Sequence, residues 1–177
     1  IDAKGALSIP LGASPSSHII KPSISHRGDV PNTAINEAMI MMLAREVKLD
    51  VAEVRYAPEL GAVIVTRYDR EIGRNGLLHR LHQNDLCKVL GIPSSKKYES
   101  EGGPSLQACF KAVIERSAQP ALAKKRLIEW VVFNVLVGNM DGHAKNLSLM
   151  TIGESTKLAP FYDLVCTAVY PNLSQKF

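Results

Sequence analysis

At 177 residues, with 46% apolar and 21% charged side chains, the chain has the make-up of a globular domain, or of a lobe and a half of a larger one, which excludes disordered and fibrous classes. Its net charge of +4 is compatible with a polyanionic partner such as nucleotide or nucleic acid but does not demand one. Cys87, Cys109 and Cys166 are odd in number and widely spaced, no zinc spacing or membrane-length apolar run is present, and the start lacks signal-peptide order, so a cytoplasmic location is expected.

In chain order, "GALSIPLGASPSSHIIKPS" reads as two short strands around a Gly/Ser/Pro loop, with Lys21 at the end of the second. The polar "SISHRGDVPNT" leads into "AINEAMIMMLAREVKL", a helix by its Ala, Leu, Met and Glu content, with Glu37 in its first turns. Met39, Met41 and Met42 on that helix are expected to pack in the core. "VAEVRYAP" and "GAVIVTRYD" then form a β-branched hairpin around Gly61.

The character changes near Tyr68 to Gly76. Beyond it, "NDLCKVLG" predicts a short helix started by Asn84 or Asp85 and closed by Gly91, and "IPSSKKYESEGGPS" a loop. "LQACFKAVIERSA" and "ALAKKRLIEWVVFNVLVGN" are further helices, the second apolar almost all round toward its end and expected to be buried there. "LSLMTIGESTKLAPF" is hairpin-like, and "YDLVCTAVYP" follows, with Cys166 expected to be a small buried hydrophobe.

Between the last helix and that hairpin lies "GNMDGHAKNLSLM". Read alone, Asp141 and Asn146 are most simply turn formers. A loop pinned between a buried helix and a strand is also the place where polar groups can be held accurately. Asn146 together with Asp163, in "PFYDLV", offers hard oxygen ligands suited to Mg²⁺, while Asp141 could accept a proton from a hydroxyl. Lys21 on a strand and Glu37 on the next helix stand in the order of the strand lysine and helix glutamate of protein kinases. Each has a plainer reading: Lys21 as an edge-strand charge and Glu37 as a solvated helix residue. His143 fits a role in holding the loop as well as one in contacting a ligand.

"SHIIKP", "NEAMIMMLARE", "VTRYDR", "KYESEGGP", "DGHAKN" and "LAPFYDLVC" together resemble, in order, the HipA family of bacterial serine/threonine kinases, the toxin halves of HipBA-type toxin–antitoxin pairs. The resemblance implies an α+β, two-lobed protein-kinase-like fold, with 1–69 as a β-rich N-lobe and hinge and 70–177 as a helical C-lobe, incomplete at both ends. It implies Asp141 as catalytic base, Asn146 and Asp163 as Mg²⁺ ligands, and Lys21 on the ATP phosphates with Glu37 as its helix partner. Thr66, Arg67, Tyr68 and Asp69 match the hinge whose backbone contacts adenine. His143, Ala144 and Lys145 lie in the nucleotide-contacting loop, and Tyr162 adjoins Asp163 in the metal-binding segment.

The family's Gly/Ser phosphate loop is expected upstream of Lys21 and a helical end beyond Phe177; no G-x-G-x-x-G is present. The implied partners are a protein substrate, glutamyl-tRNA synthetase being the family's best-known one, and a helix-turn-helix antitoxin that would mediate any contact with DNA. A small-molecule phosphotransferase of the same fold and a non-catalytic antitoxin-binding module are the alternatives.

Overall fold

The computed structural model describes residues 6–24 and 30–173. Its first sheet is built on Ala62–Thr66 (β3), an "AVIVT" run whose first four residues are buried, as suits a central strand rich in β-branched residues. His18–Pro22 (β1) and Val54–Ala57 (β2) pair with it on either edge, both antiparallel. Lys21 lies opposite Val63. Between β1 and β2 runs Thr33–Glu46 (α1), which buries Ala34, Glu37, Ala38, Met41 and Ala44, a three-and-four spacing that defines one helix face.

Three expectations change here. Only the second of the two strands anticipated near the start forms, because residues 6–17 contain Pro10, Gly12 and Pro15 and carry no strand. Only Met41 of the three methionines is in the core; Met39 and Met42 sit on the outward face and are exposed. The polar linker before α1 lies partly outside the described residues.

Strands also continue further than composition suggested. Arg70–Ile72 (β4) and Leu78–Arg80 (β5) form a small hairpin, and His82–Asp85 (β6) pairs with a strand far along the chain. Leu86–Val89 (α2) is capped by Asp85, which accepts from the Lys88 amide at 3.0 Å. Leu106–Arg116 (α3) and Pro120–Val137 (α4) then pack on one another. The chain returns through Ser148–Ile152 (β7) and Ser155–Leu158 (β8), giving a second sheet in the order β6-β7-β8.

The end of α4 is not enclosed as expected. Leu127, Trp130 and Phe133 are buried, but Val132, Val135 and Leu136 are exposed, Leu136 at 78%, because the described residues pack against one face of the helix only. Cys166 is half-buried, whereas Cys87 and Cys109 are buried; all three are free thiols. No helix among the described residues is long and apolar enough to cross a membrane.

One core spans both sheets and the helices, running from Met41 and Val63 to Trp130 and Phe161. The two halves are also bonded through the backbone: Phe161 donates to the Asp50 carbonyl and accepts from the Ala52 amide, each at 2.8 Å. Arg126 of α4 reinforces this seam by donating to the Leu158 and Ala159 carbonyls and pairing with Asp50 at 2.8 Å.

After β3, Asp69 is buried between Arg67, at 2.9 Å, and Arg70, at 2.8 Å, and accepts from Gln83. Burial opposes its charge, but the two guanidinium groups outweigh it and hold the carboxyl below its ordinary value. Asp69→Asn strands Arg70 without a counter-charge and is expected to cost about 3 kcal/mol in urea denaturation at neutral pH. The charged pair contributes fully above the unfolded carboxyl value of about 3.9 and is lost as pH falls through the lower folded value. The gap between wild type and Asp69→Asn should therefore narrow in acid.

Candidate active site

Helix α4 ends at Gly138, whose φ of 68° is left-handed and whose position leaves no room for a side chain, since a Cβ there would lie 2.7 Å from that of Ala168. Asn134, wholly buried one turn before, donates to the Trp130 carbonyl at 2.7 Å and accepts from Asn139 Nδ2 at 2.5 Å. Asn139 passes the constraint on by accepting from the Asp141 amide at 3.1 Å. Thr167 holds the other side, accepting from the Met140 amide at 2.7 Å and donating to the Gly138 carbonyl at 3.1 Å. Asp141 therefore stands on a loop whose backbone is tied to a helix interior and to the segment after Asp163.

The loop is closed again three residues later. The His143 amide donates to Asn146 Oδ1 at 3.0 Å, and Tyr162 donates to the Lys145 carbonyl at 2.6 Å while bonding to Ser148 Oγ at 2.7 Å. The Tyr162 ring stacks on Tyr68 at 5.8 Å, which couples the segment after β3 to this loop. Burial pushes the Tyr68 phenol up to about 12, and that of Tyr162 higher still, so both act as neutral donors.

Asp163 adopts a φ of 60°, a left-handed conformation that Asp tolerates better than most residues. One of its oxygens, Oδ1, receives Lys21 Nζ at 2.7 Å, and the other, Oδ2, receives Asn146 Nδ2 at 3.2 Å. Lys21 also reaches Glu37 at 2.7 Å. Burial pushes the Glu37 carboxyl up in spite of Lys21. Burial would lower the lysine, but Asp163 and Glu37 outweigh it and hold the ammonium above its ordinary value.

Lys21, Glu37, Asp141, His143, Ala144 and Asp163 all line one cavity of about 1430 Å³, larger than the usual range for a single small ligand. Asn146 is buried behind Asp163. Thr66, Arg67, Tyr68, Asp69, Lys145 and Tyr162 do not line the cavity; they brace the structure beside it.

Several residues at the site escaped the sequence reading. Asn36 donates to the Cys166 carbonyl and accepts from the Cys166 amide, each at 2.8 Å, so α1 grips the Asp163 segment directly. Lys97 and Tyr98 approach Asp141 from the loop before α3. The only signal for Asn36 was its adjacency to Glu37, and the only one for Tyr98 its place in "KYESEGGP".

Compared with known proteins, residues 2–177 match the family described as HipA-like C-terminal domain. The chain belongs to this family. It is 42% identical to Y4mE of Sinorhizobium fredii, which carries a kinase name, over 97% of this chain and 41% of that protein. It is 32% identical to the serine/threonine-protein kinase toxin HipA of Shewanella oneidensis, over 93% of this chain and 40% of the relative. The solved complex of Shewanella oneidensis HipA with HipB and operator DNA contains a chain that superposes with a TM-score of 0.73 at 32% identity, covering 90% of this chain and 39% of that one. The chain thus spans about two fifths of the length of these relatives, and its fold is the two-lobed, kinase-like α+β arrangement of HipA.

The asparagine relay makes a measurable claim about this HipA-like site. Asn139→Ala removes the partner of a fully buried amide and is expected to cost about 2 kcal/mol in urea denaturation; a loss of a few tenths would show that the relay carries no load.

Proposed function

We propose that the chain carries the catalytic centre of an ATP- and Mg²⁺-dependent serine/threonine protein kinase of the HipA kind. The observation that supports this most strongly is the junction of Lys21 with both Glu37 and Asp163, at 2.7 Å each, in the cavity that also holds Asp141. A cation held by two acids beside a separate carboxylate is the arrangement that phosphoryl transfer needs, since this chemistry depends on positioning and charge neutralisation.

In this reading the lobes divide as 1–69 and 70–177, and Thr66, Arg67, Tyr68 and Asp69, which stand beside the cavity and do not line it, form the hinge on the adenine side. Lys21, kept in place by Glu37, takes the nucleotide phosphates, with His143, Ala144 and Lys145 beside them. Asn146 and Asp163 are the residues that would hold Mg²⁺. The fit is chemical: the Asp163 carboxylate and Asn146 Oδ1 are hard oxygens on adjacent side chains, Asn146 donating through Nδ2 to Asp163 Oδ2 at 3.2 Å while its Oδ1 accepts from the His143 amide and keeps a second lone pair. A magnesium ion needs few protein ligands because waters and phosphates complete its shell. When bound, the metal would neutralise phosphate charge. Asp141 orients the acceptor hydroxyl and takes its proton late in the transfer.

The kinase toxin name of the Shewanella relative and its complex with HipB and operator DNA support a toxin role, with a helix-turn-helix antitoxin as partner and DNA reached through it. Glutamyl-tRNA synthetase is the first acceptor to try.

The full-length protein incubated with γ-labelled ATP and Mg²⁺ should label a protein acceptor. Asp141→Asn should reduce labelling by about a hundredfold or more, and chelation should abolish it. Label recovered in a metabolite fraction would favour a small-molecule phosphotransferase. Tight antitoxin binding with no turnover, unchanged in Asp141→Asn, would favour a binding module.

A further inference from the structure

The loop between α2 and α3 makes a contact that the mechanism above does not use. Three side chains approach the Asp141 carboxylate, and all meet the same oxygen. The Tyr98 hydroxyl donates to Oδ1 at 2.5 Å, while Lys97 Nζ and His143 Nε2 each stand 3.8 Å from it. Oδ1 is the nearer oxygen for all three, and Asp141, its side chain 45% exposed, lines the cavity.

The three groups also support one another. Lys97 lies over the Tyr98 ring, 4.6 Å from its centre, and the His143 ring meets Tyr98 edge-on at 5.2 Å. Burial and the bond to Asp141 raise the Tyr98 phenol, so it remains a donor. Lys97 is held above its ordinary value, its bond with Tyr98 and the Asp141 charge outweighing burial. Burial and Lys97 lower His143, so the imidazole is neutral at neutral pH and adds no second charge.

The loop is built to present Tyr98. Its carbonyl accepts from the Gly103 amide at 2.8 Å, and at Gly103 a Cβ would lie 2.5 Å from the Lys96 carbonyl oxygen, so the turn closes only around glycine. Glu99 then accepts from the Leu106 amide at 3.2 Å and fastens the loop to the start of α3.

A carboxylate free to rotate offers either oxygen in many directions, whereas an acceptor hydroxyl must meet the base along one line. A tyrosine hydroxyl bound to one oxygen removes that freedom without using the other. We propose that Tyr98, backed by Lys97, is a positioning residue for the base: it holds Oδ1 of Asp141 and leaves Oδ2 to receive the acceptor hydroxyl, which makes the 92–105 loop the acceptor side of the active centre. This rests on the reading of Asp141 as the base.

Tyr98→Phe in the full-length protein keeps the ring against Lys97 and His143 and removes only the hydroxyl. The expected result is a kcat lower by about ten- to a hundredfold, with KM for ATP within about twofold and an unchanged melting temperature. In an Asp141→Asn background the same substitution should alter the residual rate by less than about twofold, because what it positions is gone. A wild-type kcat in Tyr98→Phe, or losses that simply multiply in the double variant, would overturn the proposal.

A second readout needs no turnover. The ultraviolet titration of Tyr98, taken as wild type minus Tyr98→Phe, should move down toward the ordinary phenol value of about 10 in Asp141→Asn. Absence of phosphate transfer by the wild type would sink the kinase reading alone. A Tyr98 titration that Asp141→Asn leaves in place would sink the Tyr98 link whatever the activity.

Discussion

Lys21 is the point on which the two halves of this protein depend. It lies on the edge strand of the first sheet, and its ammonium joins a glutamate on α1 to an aspartate more than a hundred residues away. Such a three-way contact is unfavourable unless its geometry is good, because all three groups lose water. The surrounding structure supplies that geometry: α1 packs on the sheet that carries Lys21, and Asn36 clamps the segment that carries Asp163. The same first turn of α1 therefore holds both partners of the lysine.

The second constraint is the buried relay through Asn134 and Asn139. Amides inside a core are tolerated only when bonded, and here the bonding runs in one direction, from the Trp130 carbonyl out to the Asp141 amide. Together with Thr167 it makes the loop after α4 part of the core instead of a surface turn. The flexibility that a Gly- and Asn-rich stretch would otherwise have is removed by tertiary bonds. Tyr98 extends the same principle to the side chain of Asp141, so that backbone and carboxylate are each fixed from different elements.

Element types were legible where local signals were strong. The β-branched "AVIVT", the start of α2 at Asn84 or Asp85 and its stop at Gly91, and the hairpin of β7 and β8 all follow from periodicity and turn chemistry; the structure chose Asp85 as the cap. The departures share a cause. Among the described residues, the apolar piece before His18 has strand-like residues but no partner strand, Met39 and Met42 have core-like side chains on an unpacked face, and the end of α4 is apolar without being covered. Hydrophobic character states what a residue could bury against, not whether a neighbour is present. The short strands β4 to β6 were missed for the converse reason: their residues are polar, and β6 exists because β7 lies beside it.

At the site, the order of Lys21, Glu37, Asp141, Asn146 and Asp163 and the motifs around them were enough to bring the family into view from sequence, because those residue types follow from the chemistry they suit and keep their order along the chain. Which of them touch was decided by tertiary structure. Lys21 meeting Asp163, Asn36 holding Cys166 and Tyr98 meeting Asp141 join residues 142, 130 and 43 positions apart. No local pattern encodes such distances; they are set by how the sheet, α1 and the α3–α4 pair pack around one core.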